Sequence, residues 1–444
     1  MINDKPSGQC PMHLLTRRSF FKAAGGAGLL AAGAGLGFGA RTVQAFVDEK
    51  LGLHLPGQGR AREHYWGEHQ GGIITSPQTH TFFAAFELVT ESREAIAAMF
   101  KKWTLAAAAM ADGKPVEADS GDAFGLHPSR LTVTFGFGSG MFIKNGKDRY
   151  GPAKHRPEAF IDLPHFNGDQ LMPERTGGDL SVQACADDPQ VAFHAIRQLA
   201  RLASGVAQIR WTQTGFISKP DGNDTPRNLM GFKDGTESPA NKRSKENNPE
   251  ASEHNNHKGL DDVVWVGNEG PAWMRGGTYL VARRIRMALE HWDNTPVDFQ
   301  EEVIGRHKDS GAPLGGKKEF DDMDFKTLDK DGNSVIRDNA HVRLAAAENN
   351  DGAQILRRGY SYNDGTNFTA ERWPPWRQGI EYDAVLLFLA YQRDVRQGFI
   401  KIFDNMSKLD ALNQFVTHTG GGFFACPAGV KEGQYIGQRL FESA

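Results

Sequence analysis

Residues 276–289 read GGTYLVARRIRMAL, and the fold turns on them. The two glycines end whatever comes before, and the aromatic and β-branched run that follows reads as a strand. Its position is what matters, because it restarts an order of elements that the first half has already completed. Upstream, GGIITSPQTHTFFAAFELV (71–89) is strand-like and SREAIAAMFKKWTLAAAAM (92–110) is helical by its apolar spacing. RLTVTFGFGSGMF (130–142) alternates as a strand and runs into a glycine-rich turn. DPQVAFHAIRQLARLAS (188–204) is a helix, with Asp187 or Asp188 as cap, Pro189 near the first turn, and Val191, Ile196, Leu199 and Leu202 along one face. QIRWTQTGF (208–216) closes the set as a strand. Downstream of 276–289 the order returns. TPVDFQEEVIGRH (295–307) is a helix with Pro296 near its first turn, AVLLFLAYQRD (384–394) a buried strand, and KLDALNQFVTHTGG (408–421) a helix ended by glycines. Strand–helix–strand order in two halves predicts an α+β protein made of two similar sandwiches packed together. The polar stretch between them, ANKRSKENNPEASEHNNHKG (240–259), is expected to be a mobile surface loop with His254 and His257 in solvent.

Bulk properties agree with two halves, since 444 residues exceed one ordinary core. The formal charge of −3 and the lack of a basic stripe exclude a nucleic-acid binder. The first 45 residues are different in kind. Thr16-Arg17-Arg18-Ser19-Phe20-Phe21-Lys22 precedes a weakly apolar Ala/Gly run, and small residues at Val43 and Ala45 mark a cleavage site. That is a twin-arginine export signal rather than a membrane anchor, so the expected location is the periplasm or another exported one. Without it the net charge is about −7. Export of folded chains favours a protein with a cofactor already in place. Of three cysteines, Cys10 leaves with the signal, and Cys185 and Cys426 form no metal-binding spacing.

No nucleophile elbow, phosphate loop or zinc-protease motif is present, and GFGSG (136–140) lacks the spacing and downstream acid of a dinucleotide fingerprint. Three other places carry chemistry. In NLMGFKDGTESP (228–239), one acid, Asp234, sits between Gly231 and Gly235 after a nearly apolar lead-in. A surface turn gains nothing from that lead-in, so the arrangement points to a carboxylate carried into a pocket on a bend. In ILRRGYSY (355–362), strand alternation sends one of Arg357 and Arg358 inward, where a buried arginine requires a carboxylate or an anionic ligand. In NAHVRLAAAE (339–348), His341 opens a helix-forming segment, either as a core histidine or as a ligand.

Taken in order, GEHQGGI (67–73), NLMGFKDGT (228–236), GGTYLVARRIRM (276–287), SGAPLG (310–315), HVRLA (341–345), LRRGYSY (356–362), LLFLAYQRD (386–394) and GGGFFACP (420–427) resemble the dye-decolorising peroxidases. Within them GFKDG matches the GxxDG motif, and the surroundings are similar to the exported deferrochelatase/peroxidase subgroup associated with iron transport. The resemblance covers essentially the whole chain after residue 45. It implies two ferredoxin-like α+β halves with antiparallel sheets, of the dimeric α+β barrel type, at 46–220 and 221–444, the second holding haem b. By position it makes His341 the proximal ligand to the haem iron, Asp234 the distal acid–base residue, paired with and kept ionised by Arg357, the distal arginine. Gly235, Thr236 and Glu237 would border the haem, and Leu386 and Phe388 would cover its distal face. A second carboxylate is expected on the other nitrogen of His341; Asp394 is one candidate, and a strand-end salt bridge to Arg393 or Arg396 is its alternative use. The chain departs from the subgroup at Ala346-Ala347-Glu348, where an arginine-containing stretch usually serves the haem propionates, leaving Arg275 or Arg284 as substitutes. Gly359 stands where some members have asparagine. The implied activity is reduction of hydrogen peroxide with oxidation of phenolic or dye-like donors through a ferryl intermediate, and the alternative is release of iron from haem with the porphyrin intact. Trp373, Trp376 and Tyr391 are candidate electron relays, each weighed against plain packing. The implied partners are peroxide, small aromatic reductants, an iron-uptake system and a second copy of the chain in a dimer, with no stable membrane anchor.

Overall fold

A computed structural model describes residues 61–116, 119–218, 224–239, 253–367 and 381–443. Residues 1–45, residues 240–252, Trp373 and Trp376 lie outside them. The first half runs β1 (His80–Leu88), α1 (Arg93–Ala111), β2 (Thr132–Phe137), β3 (Leu180–Ala186), α2 (Pro189–Leu202) and β4 (Ala207–Phe216). Local chemistry sets the helix starts. The Ser92 side chain accepts from the Ala95 amide, and Asp188 accepts from the amides of Gln190 and Val191 with Pro189 at the first position of α2. The strands pair antiparallel in the order β2–β3–β1–β4.

The second half runs α3 (Glu253–Val264), β5 (Thr278–Met287), α4 (Leu289–Asp293), α5 (Val297–Ile304), α6 (His341–Ala345), β6 (Leu356–Arg357), β7 (Tyr360–Asn367), β8 (Glu381–Gln392), α7 (Phe399–Leu409) and β9 (Val416–Cys426), with α8 (Gln438–Ser443) near the end. Here the order is β9–β5–β8–β7, with β6 also on β8. Numbered within each half, with the two-residue β6 set aside, both sheets read fourth–first–third–second, the ferredoxin-like arrangement. Single pairs at the corners, Phe137 with Ala425 and Phe216 with Ser361, join the sheets into one barrel-like closure. The inner faces share a core of Phe83, Ala85, Trp211, Leu280, Leu387, Leu389, Tyr391 and Phe424, in which Cys185 and Cys426 are buried free thiols.

The outer faces differ, and the difference positions the site. Beneath α1 and α2 the first sheet carries one continuous apolar cluster from Phe86 to Leu440. The second sheet carries three separate ones, around Trp292, Phe399 and Met406. Ile285 pairs with Leu386 and Arg283 with Phe388, so these side chains share the outer face. Ile285, Leu386 and Phe388 are only half-buried there, while Leu387 and Leu389 on the other face are sealed. Room therefore remains between this sheet and its helices.

Three expectations need correction. Residues 408–421 are not one helix: α7 ends at Leu409, Asp410 caps a single 3-10 turn over Ala411–Gln414, and β9 begins at Val416. Its glycines are strand positions that admit a second chain segment. A Cβ on Gly421, whose φ is +141°, would lie 2.0 Å from the Ala282 carbonyl oxygen, and the Gly177 amide donates to the Gly421 carbonyl at 2.7 Å. Residues 253–259 belong to α3 rather than a loop. The strand predicted from residue 71 begins at His80, after a turn that includes Gly72 with φ +87°.

Candidate active site

The 228–239 bend is built as its glycines suggest. Gly231 and Gly235 have φ of +87° and +104°, values that L side chains rarely adopt. The apolar lead-in anchors it: Met230 and Phe232 are buried, Trp292 donates to the Met230 carbonyl at 3.0 Å, and the Phe232 ring meets Trp292 edge-on. The residues flanking Asp234 are tied down as well. Lys233 reaches Glu319 at 2.6 Å and Asp224 at 2.5 Å, Thr236 donates to Glu319 at 2.9 Å, and Arg306 donates to Glu237 at 2.8 Å. Thr236 and Glu237 thus act as anchors of the bend, while Gly235 lies in the wall of a cavity beside Asp234.

Arg357 and Arg358 point to opposite faces, as alternation predicted. The Arg357 guanidinium lies 3.4 Å from the Asp234 carboxylate, each about a quarter exposed. Arg358 is buried among neutral acceptors: it donates to the Thr75 carbonyl, the Gln78 side chain and the Tyr360 hydroxyl. The expected carboxylate or anionic partner of a buried arginine is therefore corrected, since carbonyl and hydroxyl dipoles do that work here. Gly359 follows, and a Cβ there would come within 3.3 Å of Leu386.

Asp234, Gly235, Arg357, Gly359 and Leu386 share a cavity of about 360 Å³, whose other wall comes from the 73–79 turn and Phe216–Ser218 of the first half. Phe388 lies farther along the outer face, packed on Phe399. His341 opens α6, outside the cavity wall. Its Nδ1 lies 2.7 Å from an Asp410 carboxylate oxygen, and Asp410 is nearly sealed while His341 is about a quarter exposed. The Ala411 amide donates to the Asn339 carbonyl, which locks the two segments together. With Nδ1 committed, Nε2 is the nitrogen open to a metal.

Asp394 is corrected: it holds Arg396 at 2.8 Å, and the carboxylate on His341 is Asp410. Nothing in KLDALNQF marked Asp410 beyond an ordinary cap, a role it also fills by accepting from the Leu412 amide. Glu319 was likewise missed. Arg284 is buried and bonded to Asp383, Gln213 and Thr419, and pairs through Leu387 with the inner face, away from the outer face that carries Leu386 and Phe388. Arg275 is exposed on the turn before β5. Tyr391 is sealed in the inner core, donating to Gln183 at 2.7 Å, as packing would have it.

The donor set fits a haem. Among the described residues no group of three or more His, Cys, Asp or Glu side chains could hold a bare metal ion. One histidine oriented by a carboxylate, on a helix whose Val342 packs into the same cluster as Leu386, suits iron in a flat apolar ligand.

Known proteins are similar along nearly the full length. The family models "Dyp-type peroxidase, N-terminal" and "Dyp-type peroxidase, C-terminal" match residues 70–217 and 225–431. A dye-decolorizing peroxidase of Thermobifida fusca is 36% identical over 96% of this chain and 97% of its own length. A deferrochelatase of Yersinia pestis is 33% identical over 86% of this chain and 85% of its own. Ferric DtpA from Streptomyces lividans superposes with a TM-score of 0.78 at 39% identity, over 88% of this chain and all of that one.

Proposed function

The chain belongs to the Dyp-type peroxidase family and is a haem peroxidase, and from that premise we propose how its own residues share the work. Haem b would be held through His341 Nε2, with Asp410 fixing the ring, and Ile285, Leu386 and Phe388 would offer it an apolar surface. When bound, it supplies the redox centre at which peroxide is reduced. Asp234 takes a proton from one oxygen of hydrogen peroxide and returns it to the other, so that water can leave. Arg357 holds Asp234 in place and offers its remaining N–H groups to the negative charge that develops on the departing oxygen. The 73–79 turn and Leu386 wall the cavity onto which the pair opens.

The observation that carries this reading is the Asp234–Arg357 pair at 3.4 Å, opening onto one cavity. Haem storage or removal of iron from haem needs no such polar pair, and peroxide cleavage does. The test mixes ferric holoprotein with one equivalent of peroxide and follows the visible spectrum. Asp234→Asn and Arg357→Leu should each slow the reaction by about 10²–10⁴-fold with haem still bound. Wild-type rates in both variants would end this assignment. Oxidisable partners are small aromatic and dye-like donors. Residues 1–45 extend the proposal to export by the twin-arginine route, which fails if native protein fractionates with the cytoplasm.

A further inference from the structure

Arg358 follows the distal arginine in the chain and is buried on the other side of it. It is 3% exposed, and its backbone amide donates to the Leu389 carbonyl at 2.8 Å, which continues the pairing of β6 on β8. Each nitrogen of its guanidinium serves a separate neutral acceptor: Nε the Tyr360 hydroxyl at 3.1 Å, Nη1 the Thr75 carbonyl, and Nη2 the Gln78 side chain. Burying a cation among neutral groups costs stability that an apolar side chain of similar size would not. Packing alone therefore does not account for Arg358; the places of its acceptors do. Tyr360 opens β7 in the second half. Thr75 and Gln78 belong to the first half, in the 73–79 turn, and line the cavity onto which Asp234 and Arg357 open. Gln78 is itself fixed, since its amide donates to the Arg130 carbonyl at 2.7 Å and to the Thr132 hydroxyl at 3.1 Å. One planar side chain thus ties the two walls of the cavity together. The backbone needs that tie, because β6 spans only Leu356 and Arg357, and Gly359 comes next. Reaching three acceptors at once takes the flat fork of a guanidinium, which an ammonium, donating from a single point, cannot span.

We propose that Arg358 is a positioning residue for peroxide cleavage: by crossing from β6 to the 73–79 turn, it holds Arg357 at its distance from Asp234 and sets the width of the cavity. The proposal rests on the reading of Asp234 and Arg357 as the peroxide pair and adds what aims them. Arg358 acts through Arg357 and the turn, not on the reacting atoms.

A double-mutant cycle on the reaction of ferric holoprotein with one equivalent of peroxide tests it. Arg358→Lys keeps the charge and loses the fork, and should slow that step about tenfold, because Arg357 is displaced rather than removed. Arg358→Met should slow it by a similar factor, since position and not charge is what Arg358 supplies. In an Arg357→Leu background, Arg358→Lys should slow the step by less than about twofold further, because the group it aims is gone. Equal slowing in the two backgrounds overturns the proposal and leaves Arg358 a plain structural bridge. A wild-type rate in Arg358→Lys overturns it as well. Hydrogen exchange on the holoprotein reads the tie apart from turnover. In Arg358→Lys the amides of the 73–79 turn and of Tyr360 should lose protection together, while those of β2 and α2 keep theirs. Unchanged exchange in the turn overturns the proposal whatever the rates. If Arg357→Leu alone reacts at the wild-type rate, the peroxide pair is what fails, and exchange then decides the tie by itself. Should the Arg358 variants not fold, Gln78→Ala removes one end of the tie from the other half, and the same cycle and exchange readout apply to it.

Discussion

At the scale of single residues, the site is read most easily where a residue is out of place for its surroundings. Asp234 was legible because an acid between two glycines, after an apolar lead-in, serves no ordinary turn. Arg357 was legible because alternation had to send one of two adjacent arginines away from the core, although nothing in the sequence indicated what would face the other. Asp410 was not legible, because an aspartate that caps a helical turn is among the commonest uses of the residue. Its second use appears only when α7 and α6 are brought together: one carboxylate oxygen takes the Leu412 amide and the other faces His341 at 2.7 Å. The two uses can be separated. Asp410→Asn keeps an acceptor for Leu412 but removes the charge that orients and polarises the imidazole, so the backbone should hold while the metal bond weakens. Transfer of haem to a scavenger globin should then speed up by about 10–100-fold, with the melting temperature of the haem-free protein nearly unchanged. An unchanged transfer rate would reduce Asp410 to a cap.

At the scale of elements, the sequence reading succeeded where periodicity and caps agreed, and failed where a neighbour overrode them. α2 begins at Asp188, one of its two predicted caps, and α1 begins within the stretch that its apolar spacing marked. β3 was missed although Leu180, Ser181, Val182 and Gln183 alternate, because the run is short and ends in Ala-Cys-Ala; all of it is buried, the polar positions included. The 408–421 segment misled because Leu409, Leu412 and Phe415 have helical spacing, yet the glycines that looked like a helix stop accommodate the chain crossing at Arg175–Gly177. The bend carrying Asp234 is the clearest case of tertiary control. Glu319, far along the chain, holds both Lys233 and Thr236, and its side chain and that of Lys233 are each only about a tenth exposed. Removing Glu319 leaves Lys233 with only the half-exposed Asp224, so the cost should approach but not reach that of a wholly uncompensated buried charge, about 3–5 kcal/mol. Glu319→Ala should therefore destabilise the protein and also release the bend. Because Asp234 is displaced rather than lost, the peroxide step should slow by about tenfold or more, while oxidation of bulky dyes at saturating peroxide changes less. Glu319→Gln, which can still accept from Thr236, should fall between the two. Equal losses in both steps would mean that the network serves folding alone.

At the scale of the whole molecule, two halves with the same strand order have been put to different uses. The first half closes its outer face with one continuous apolar cluster, and the second leaves three clusters with half-buried Ile285, Leu386 and Phe388 among them. Interiors pack to near-crystalline density, so a gap of this kind is stable only if something fills it or if that half gives up stability. A ligand that binds only the folded chain adds RT ln(1 + [L]/Kd), about 4 kcal/mol at a thousandfold excess over Kd. The gain should be local, because the gap lies on one side of one sheet. Hydrogen exchange on protein with and without haem measures this directly. Removing haem should strip protection from α6, α7 and the adjoining strands β5, β8 and β9, while β1, β3 and α2 keep theirs. If instead protection fell evenly across both halves, the barrel would be one cooperative unit and the gap would have no energetic identity of its own. If nothing changed, the outer face of the second sheet would be closed without haem, and the bound group would have to sit elsewhere.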